Sequence, residues 1–525
     1  MSTLRPIPVR TAPPDVRVDP RPLADLVAAL PGGAVGPVRG DAGVLVSDVQ
    51  IDSRAVTPGA LFGAVRPDTH TGRDGHDFVD DALARGAVAA LVSDEWLAAH
   101  GPAPSAPAPL GKGRLSSAAL VPATDTRAAL GEVAAAFYGR PAEALTTLGV
   151  TGTNGKTTTV FLLHHLLTTL GTTAGLVGTV ENRIGEARYA TTFTTPEAPA
   201  LQRFLRACVD GGCTAVAMEV SSHGLALSRV GGIAFDVAVF TNLTQDHLDY
   251  HRTFGEYRDA KKRLFDGLGE GATAVVNGDD ENWKAMVRDT AADVVTFGTS
   301  PGVDVRVEVL DNGLGGLRLR LGGEERPFNL TGRFNALNLA AAYACGLALG
   351  HEGGAVLDAL AAAPGVPGRF ETVRAGGVVG VVDYAHTPDA LDNVLRTARE
   401  IVPEGGRLWV VTGSGGDRDR TKRPLMARTA ETLADRVVIT QDNPRTEDPD
   451  RIVADLLGGL DRPDDVAVLR DRAEAIGHAA REAAAGDVVV VAGKGHETYQ
   501  DIGGEKRPFD DRAVLRDALT SRPAP

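Results

Sequence analysis

The run Gly149-Val150-Thr151-Gly152-Thr153-Asn154-Gly155-Lys156-Thr157-Thr158-Thr159 has the composition of a loop that holds a polyphosphate. Glycines let a backbone approach an anion and turn its N–H groups inward. Gly152, Thr153, Asn154, Gly155 and Thr158 would frame the cradle, Lys156 would reach the outer phosphates, and the Thr157 hydroxyl would hold Mg²⁺. The general Gly-x4-Gly-Lys-Thr pattern asks for glycine at position 150, where Val150 stands, so this is the shorter Thr-Gly-Thr-Asn-Gly-Lys-Thr form. The competing reading is a glycine-rich turn that happens to carry a surface lysine.

The elements around that run suit the first reading. Residues 144–150 read as a buried strand and Thr157 to Leu170 as a helix with an apolar face, which is the geometry that presents N–H groups to phosphate. Two later strands end in polar residues: 215–218 leads into Glu219-Val220-Ser221-Ser222-His223, and 235–240 leads into Thr241-Asn242 and Asp246-His247-Leu248-Asp249. In doubly wound α/β folds ligands sit beyond the carboxyl ends of the strands, which places Glu219 and His247 to meet a phosphate-bound metal. Each also has an ordinary reading, Glu219 as a salt-bridged or capping carboxylate and His247 as a structural hydrogen bond. Lys261 lies on an amphipathic helix over 257–265, where chemistry alone makes it a solvated lysine. Asn335 and Asn338 lie a turn apart at the start of an Ala/Leu-rich helix, where the first could simply cap it. From about 364 onward strands and helices alternate, which argues a parallel, Rossmann-like sheet. Its strands run into Asp383-Tyr384-Ala385-His386, Gly413 to Asp419, Asp442-Asn443-Pro444-Arg445 and Gly493-Lys494-Gly495-His496-Glu497. The Gly413 run is not a dinucleotide fingerprint, because its third glycine would fall at Arg418.

The whole is an α/β chain of 525 residues, enough for about three domains. The boundaries fall at 21–125, 126–363 and 364–525, after a Pro- and Arg-rich stretch over 1–20 that reads as disordered. Residues 101–113 read as a mobile Pro-rich loop. A net charge of −14 argues against wholesale nucleic-acid or anionic-membrane binding, so an anionic substrate needs local basic pockets. The three cysteines, Cys208, Cys213 and Cys345, have no metal spacing and suggest no disulfide framework. With no apolar run long enough to span a bilayer and no apolar signal core, a cytoplasmic enzyme is expected.

Taken together, Thr151 to Thr157, Glu219 to His223, Thr241-Asn242 with Asp246 to Asp249, Gly332 with Asn335 and Asn338, Gly368-Arg369, and Asp383 to His386 resemble the Mur ligase family, in order and spacing from about residue 45 onward. The resemblance implies three domains: one for the UDP end of a substrate, a central P-loop ATPase-like domain, and a mobile Rossmann-like C-terminal domain. It implies ATP and Mg²⁺ as cofactors and a carboxylate activated as an acyl phosphate before an amine attacks it, in peptidoglycan precursor synthesis. By the same resemblance Lys156 and Thr157 serve the phosphates and Mg²⁺, Glu219 holds the first Mg²⁺, and His247 with a carbamylated Lys261 (N6-carboxylysine) holds a second. Asn335 and Asn338 approach the nucleotide, Arg369 the γ-phosphate and Asp383 the ribose.

Ser53, Thr194, Thr195, Ser221 and Arg229 match positions that grip UDP-N-acetylmuramoyl-L-alanyl-D-glutamate, while Leu227 stands where some relatives carry glutamine. Arg418, Asp442, Asn443, Pro444, Arg445, Gly493 and Glu497 match positions that bind diaminopimelate in the members that add it. Arg445 can pair bidentately with the distal carboxylate that lysine lacks; without the family context, the same four residues read as a turn with a surface arginine. The chain is expected to work as a monomer, with neither nucleic acid nor membrane as partner. The alternatives are an LL-diaminopimelate- or lysine-adding ligase of this fold, a folate-type ligase, and a regulator that binds nucleotide without ligation.

Overall fold

The computed structural model describes residues 9–11, 14, 16–67, 72–100, 118–313 and 315–522. The expected mobile loop at 101–113 lies outside the described residues. Of the expected disordered stretch 1–20, Val9–Arg10 form a strand paired in parallel with Ala187–Tyr189, Arg10 donates to the Tyr189 hydroxyl at 3.2 Å, and Val16 and Val18 pack against a core cluster. Positions 1–8, 12, 13 and 15 lie outside the described residues. The chain forms two compact units, Met1–Val305 with Ala341–Val356, and Arg306–Ala340 with Leu357–Pro525.

In the first unit an N-terminal four-stranded sheet runs in the order Asp48–Gln50, Ala60–Gly63, Ala89–Ser93, Ala119–Ala123, every pair parallel. The strands are short and mostly apolar where buried, with Ser93 the polar exception at the end of its strand, as suits parallel strands covered on both faces. Helix Thr126–Phe137 opens on Asp125, whose side chain accepts from the Arg127 and Ala128 N–H groups. Its apolar face (Ala129, Leu130, Val133, Phe137) packs with Leu61, Leu91 and Val121 of that sheet.

The second sheet of this unit carries the phosphate loop. Its order is Ala174–Val177, Ala215–Glu219, Thr146–Thr151, Val237–Phe240, Thr273–Asn277, Asp293–Gly298, all parallel. The hairpin Asn182–Ile184/Ala187–Tyr189 adds antiparallel pairs on the Ala174 side. The loop strand therefore has Ala215–Glu219 on one flank and Val237–Phe240 on the other. Register pairs Glu219 with Val150 and Phe240 with Thr151, so three strands end at one level and deliver Glu219, Thr241 and the phosphate loop to one edge. The expected strand and helix were right in kind; the strand starts two residues later, and the helix is Lys156–Thr169.

In the second unit Val305–Gly313, Gly316–Leu321 and Glu324–Phe328 form an antiparallel meander, which the sequence reading did not foresee. The remaining sheet runs Glu371–Ala375, Val378–Asp383, Val488–Ala492, Leu408–Thr412, Arg436–Ile439, Ala467–Val468. Only its first pair is antiparallel. Valine-rich central strands such as Val488–Ala492 are fully buried, and helix Pro388–Glu400 covers one face through Leu391, Val394, Leu395 and Ala398. Three expected site loops, at 383, 442 and 493, leave carboxyl ends of this sheet's strands.

Candidate functional site

Beyond Thr151 the backbone turns at Gly152 (φ 149°) and Gly155 (φ 88°). Both lie in the region that costs an L side chain and glycine little. At Gly152 a Cβ would also stand 1.9 Å from Thr241 Oγ1. The loop is held from behind. The Thr241 hydroxyl donates to the Asn154 carbonyl at 2.6 Å, Asn242 Oδ1 accepts from the Asn154 N–H at 2.9 Å, and Thr153 N–H donates to the Asn242 carbonyl at 2.8 Å. Lys156 Nζ lies over the loop, donating to the carbonyls of Gly152 (2.8 Å) and Thr153 (2.9 Å). Helix Lys156–Thr169 starts there and points its N-terminal end, with its positive dipole, at the cradle.

Glu219 is 1% exposed, and among the described residues its hydrogen-bond partners are threonines. Its Oε2 accepts from the Thr157 hydroxyl at 3.0 Å and from the Thr179 hydroxyl at 3.1 Å, and Oε1 accepts from Thr179 N–H at 2.7 Å. Gly178 leaves room for this, since a Cβ there would meet Oε1 at 2.5 Å. A buried carboxylate touching the loop threonine is the hard-oxygen pair a divalent cation takes in a phosphate-loop site, so these two residues fit Mg²⁺. Thr179, which the sequence reading passed over, also reaches the Thr194 hydroxyl at 3.0 Å and so links Glu219 to Thr194.

Lys261 is not the solvated helical lysine that chemistry alone suggested. Helix Phe254–Asp266 turns it inward, 1% exposed, with Nζ donating to the Gly152 carbonyl at 2.7 Å and lying 4.6 Å from the Tyr257 ring. Burial first, and then the positive charge of Lys156, push its pKa well below the usual lysine value, with Asp246 opposing. His247 stands on an exposed left-handed residue (φ 53°) before the short helix Leu248–His251. Its ring lies 4.8 Å from that of His223 and 6.1 Å from that of Tyr257. His247 and Lys261 thus meet the same tyrosine ring.

Thr195 and Arg229, both buried, form one cluster with the half-buried Ser221. Thr195 Oγ1 lies 2.9 Å from the Glu219 carbonyl and 3.1 Å from Ser221 Oγ. Arg229 donates to the Thr195 carbonyl at 3.2 Å and pairs with Glu197 at 2.7 Å. Leu227 is buried at the end of helix Ser222–Ala226. Beside Thr194 a cavity of about 280 Å³ is lined by Val49, Gln50, Tyr138, Tyr189, Phe193 and Arg203 among others. Ser53 opens a short 3₁₀ turn capped by Asp52, and it does not share in the Thr195 cluster's hydrogen bonds.

In the second unit Asn335 and Asn338 are buried on one helix face; Asn338 donates to Asn335 Oδ1 at 2.9 Å and Asn335 to the Thr331 carbonyl at 2.8 Å. Asp383 Oδ2 accepts from Phe370 N–H at 2.7 Å, and burial raises its pKa against the pull of Arg369. Arg369 lies 5.0 Å from the Tyr384 ring, and its buried Nε has no hydrogen-bond partner.

The loops at 442 and 493 are locked together. Asn443 Nδ2 donates to Glu497 Oε2 at 2.8 Å, and Asn443 Oδ1 accepts from Lys494 Nζ at 2.9 Å, which also reaches Glu497 Oε2 at 2.8 Å. Gly493 has φ 123°, and a Cβ there would meet Asp442 Oδ2 at 2.4 Å. Arg445 takes a left-handed backbone (φ 52°) and sends Nη1 to the Gly416 carbonyl at 2.6 Å. Arg418 is on the same loop as Gly416, at an exposed position. Gln500 and Arg472 were not foreseen in this region, and Lys494 stood in the quoted Gly493-to-Glu497 run without a role; their burial, invisible in the sequence, singles them out.

A parallel sheet that ends in a glycine-turned loop, a buried carboxylate on the loop threonine, and a Rossmann-like sheet with a polar rim are the features of an α/β nucleotide-dependent ligase. The chain belongs to the Mur ligase family. Family profiles match at residues 45–138 (Mur ligase family, catalytic domain), 150–346 (Mur ligase middle domain) and 368–495 (Mur ligase, glutamate ligase domain). A protein of Geobacillus thermodenitrificans named UDP-N-acetylmuramoyl-L-alanyl-D-glutamate--2,6-diaminopimelate ligase is 45% identical over 95% of this chain and 99% of its own. One of the same name from Phocaeicola vulgatus is 42% identical over 93% and 98%. A solved structure of a ligase so named is 35% identical with TM-score 0.62, covering 90% of this chain and 95% of that one. At 19% identity and TM-score 0.57, the MurF ligase of Thermotoga maritima in complex with ADP shares the fold over 90% of this chain and 96% of that one.

Among the described residues no helix is long and apolar enough to cross a membrane.

Proposed function

We propose that the protein is an ATP-dependent ligase of the cytoplasm that joins meso-2,6-diaminopimelate to the D-glutamyl γ-carboxylate of UDP-N-acetylmuramoyl-L-alanyl-D-glutamate. The observation that carries this reading is the locked pair of loops at 442 and 493, where Arg445, Asn443 and Glu497 offer a cation, an amide and a carboxylate to an amino acid with a distal ammonium and carboxylate. The names of the relatives at 42–45% identity support it, and meso is taken as the isomer the family commonly uses. The domains are taken as 21–125 for the UDP end, 126–363 for ATP and 364–525 for the amino acid.

A carboxylate is a poor electrophile, so the γ-carboxylate oxygen attacks the γ-phosphorus of ATP and ADP leaves. The amine then attacks the acyl carbon, phosphate leaves, and the amine gives up a proton. The protein's part is to hold anions together and stabilise the charge that moves. The loop 152–158 and Lys156 bind the phosphates, Arg369 pairs with the γ-phosphate, Asn335 and Asn338 approach the nucleotide, and Asp383 takes the ribose. Thr157 and Glu219 would hold Mg²⁺, and His247 with Lys261 would hold a second, which would supply charge neutralisation at the phosphates. Ser53, Thr194, Thr195, Ser221 and Arg229 hold the UDP-linked dipeptide. Arg418 and the residues from Asp442 to Arg445, Gly493 and Glu497 hold diaminopimelate.

Lys261 acts as a carbamate in this reading. Its depressed pKa favours the neutral amine that reacts with CO₂. Carbamylation would turn two lysines that share the Gly152 carbonyl into an ion pair, while keeping one N–H for that carbonyl.

The test is ADP release from the purified protein with ATP, Mg²⁺ and the nucleotide dipeptide, adding meso-diaminopimelate, LL-diaminopimelate or L-lysine in parallel. Release with meso-diaminopimelate is expected. Release with lysine alone would overturn the assignment of Arg445, and release independent of any amine would overturn the ligase.

A further inference from the structure

We infer that the buried pair Arg472–Asp511 is a positioning device that fixes the spacing of the two amino-acid-binding loops; this rests on the function proposed above. Arg472 opens helix Arg472–Glu482, and Asp511 opens helix Asp511–Thr520. Both side chains are fully buried. Arg472 Nε and Nη2 donate to the two Asp511 oxygens at 2.8 and 2.7 Å, a bidentate pair of fixed plane. The same guanidinium donates from Nη1 to the Gln441 carbonyl at 3.2 Å and from Nη2 to the Ala492 carbonyl at 3.0 Å. Gln441 immediately precedes Asp442, and Ala492 immediately precedes Gly493.

One planar cation therefore grips the last carbonyl before each binding loop, and Asp511 sets the orientation of that plane. The strands that lead into these loops, Arg436–Ile439 and Val488–Ala492, are not neighbours in the sheet, because Leu408–Thr412 lies between them. No ladder hydrogen bond sets the spacing of the two loops; the guanidinium does. Farther out the loops are joined by Asn443, Glu497 and Lys494, and Gln500 donates to the Asp442 carbonyl at 2.7 Å. Those bonds are satisfied only when the loops start at the right separation. Because Asp511 neutralises Arg472, the pair attracts no substrate by charge. It acts through Asn443, Arg445, Gly493 and Glu497, and touches neither ATP nor the nucleotide dipeptide.

The test is a double replacement, Arg472→Met with Asp511→Leu, beside the single Asp511→Asn. Replacing both partners of a buried pair by apolar groups of similar size commonly preserves stability, whereas removing one strands a charge. At a temperature well below the unfolding midpoint, the double variant should show a KM for diaminopimelate raised on the order of ten- to a hundredfold, as loop misplacement costs. KM for ATP and for the nucleotide dipeptide should stay within about twofold. Preference for diaminopimelate over lysine should fall with it. Asp511→Glu, which keeps the carboxylate, should recover more of the KM than Asp511→Asn. A folded double variant with unchanged KM for diaminopimelate overturns the inference, as does an equal rise in all three KM values. If the double variant does not fold, the Asp511→Glu and Asp511→Asn comparison decides by the same KM ratio. A wild type that releases ADP with no amine instead refutes the proposed function itself.

Discussion

Replacing Arg445 by lysine should weaken diaminopimelate specifically, by an amount the structure bounds. The Arg445 backbone is pinned at both ends: its N–H donates to the Asp501 carbonyl at 3.0 Å, and its carbonyl accepts from Gly503 N–H at 2.6 Å. Lysine bears the left-handed conformation at φ 52° no worse than arginine does, so Arg445→Lys should leave stability within about 0.5 kcal/mol. Of the five N–H donors of the guanidinium, one is used by the Gly416 carbonyl, and the planar fork keeps capacity for two parallel bonds to a carboxylate. An ammonium offers a point charge and loses the second of these. A hydrogen bond to a charged group contributes roughly 1.5–3 kcal/mol, so KM for diaminopimelate should rise roughly ten- to 150-fold. KM for ATP and for the nucleotide dipeptide should not move. L-lysine as amine donor should be nearly indifferent to the change, because it has no carboxylate at that end. The assay is coupled ADP release with each substrate varied in turn. A KM for diaminopimelate within about twofold of wild type, or a matched rise for ATP, refutes the assignment of Arg445 as carboxylate partner.

Gly152→Ala puts a Cβ 1.9 Å from Thr241 Oγ1 at φ 149°, so fluorescent-nucleotide titration should lose at least about tenfold in affinity; unchanged affinity would remove the cradle from this loop. Lys261→Ala should lose most turnover with no rescue by high bicarbonate, and full turnover would sink the carbamate. His164 is 5% exposed, and burial lowers its pKa to about 4 from 6.5. Between those pH values the unfolded chain binds more protons than the folded one, so stability falls as pH drops through the window, by about 2 kcal/mol at pH 5. Urea midpoints at pH 7 and pH 5 should differ less in His164→Leu than in wild type; an identical pH dependence would show that this histidine is not the source.

What the sequence revealed and what it hid divide along a physical line. The phosphate loop was readable because strand, glycines and Lys156-Thr157 are contiguous, and the function of each is local. Glu219 was readable as a strand-end carboxylate, but its true neighbour Thr179 lies forty residues away and meets it only because Ala174–Val177 pairs with Ala215–Glu219. Lys261 looked solvated because helix periodicity ranks lysine as polar; tertiary packing turned it onto the Gly152 carbonyl. Arg472 gave no signal, and Lys494 stood in a quoted strand-end run without a role of its own, since a buried cation is recognised only by the acceptors that surround it. The antiparallel meander at 305–328 went unread because its alternating charged residues resemble a loop until the strands pair.

The two proposed anion sites share one design, which would let a chain of net charge −14 handle acidic substrates. In each, a cation rests on backbone carbonyls: Lys156 on Gly152 and Thr153 of its own loop, Arg445 on Gly416 of the neighbouring loop. In each, other groups fix the backbone, Thr241 and Asn242 in one and Asp501 and Gly503 in the other. Binding a phosphate or carboxylate then exchanges a neutral carbonyl for a charged acceptor by turning one side chain, with little backbone to order. The bond gained is stronger than the bond released, and its surplus depends on the ligand's charge. A neutral isostere would only replace one carbonyl by another and gain almost nothing. Selectivity for anions therefore comes from what the cations must release, as well as from what they attract.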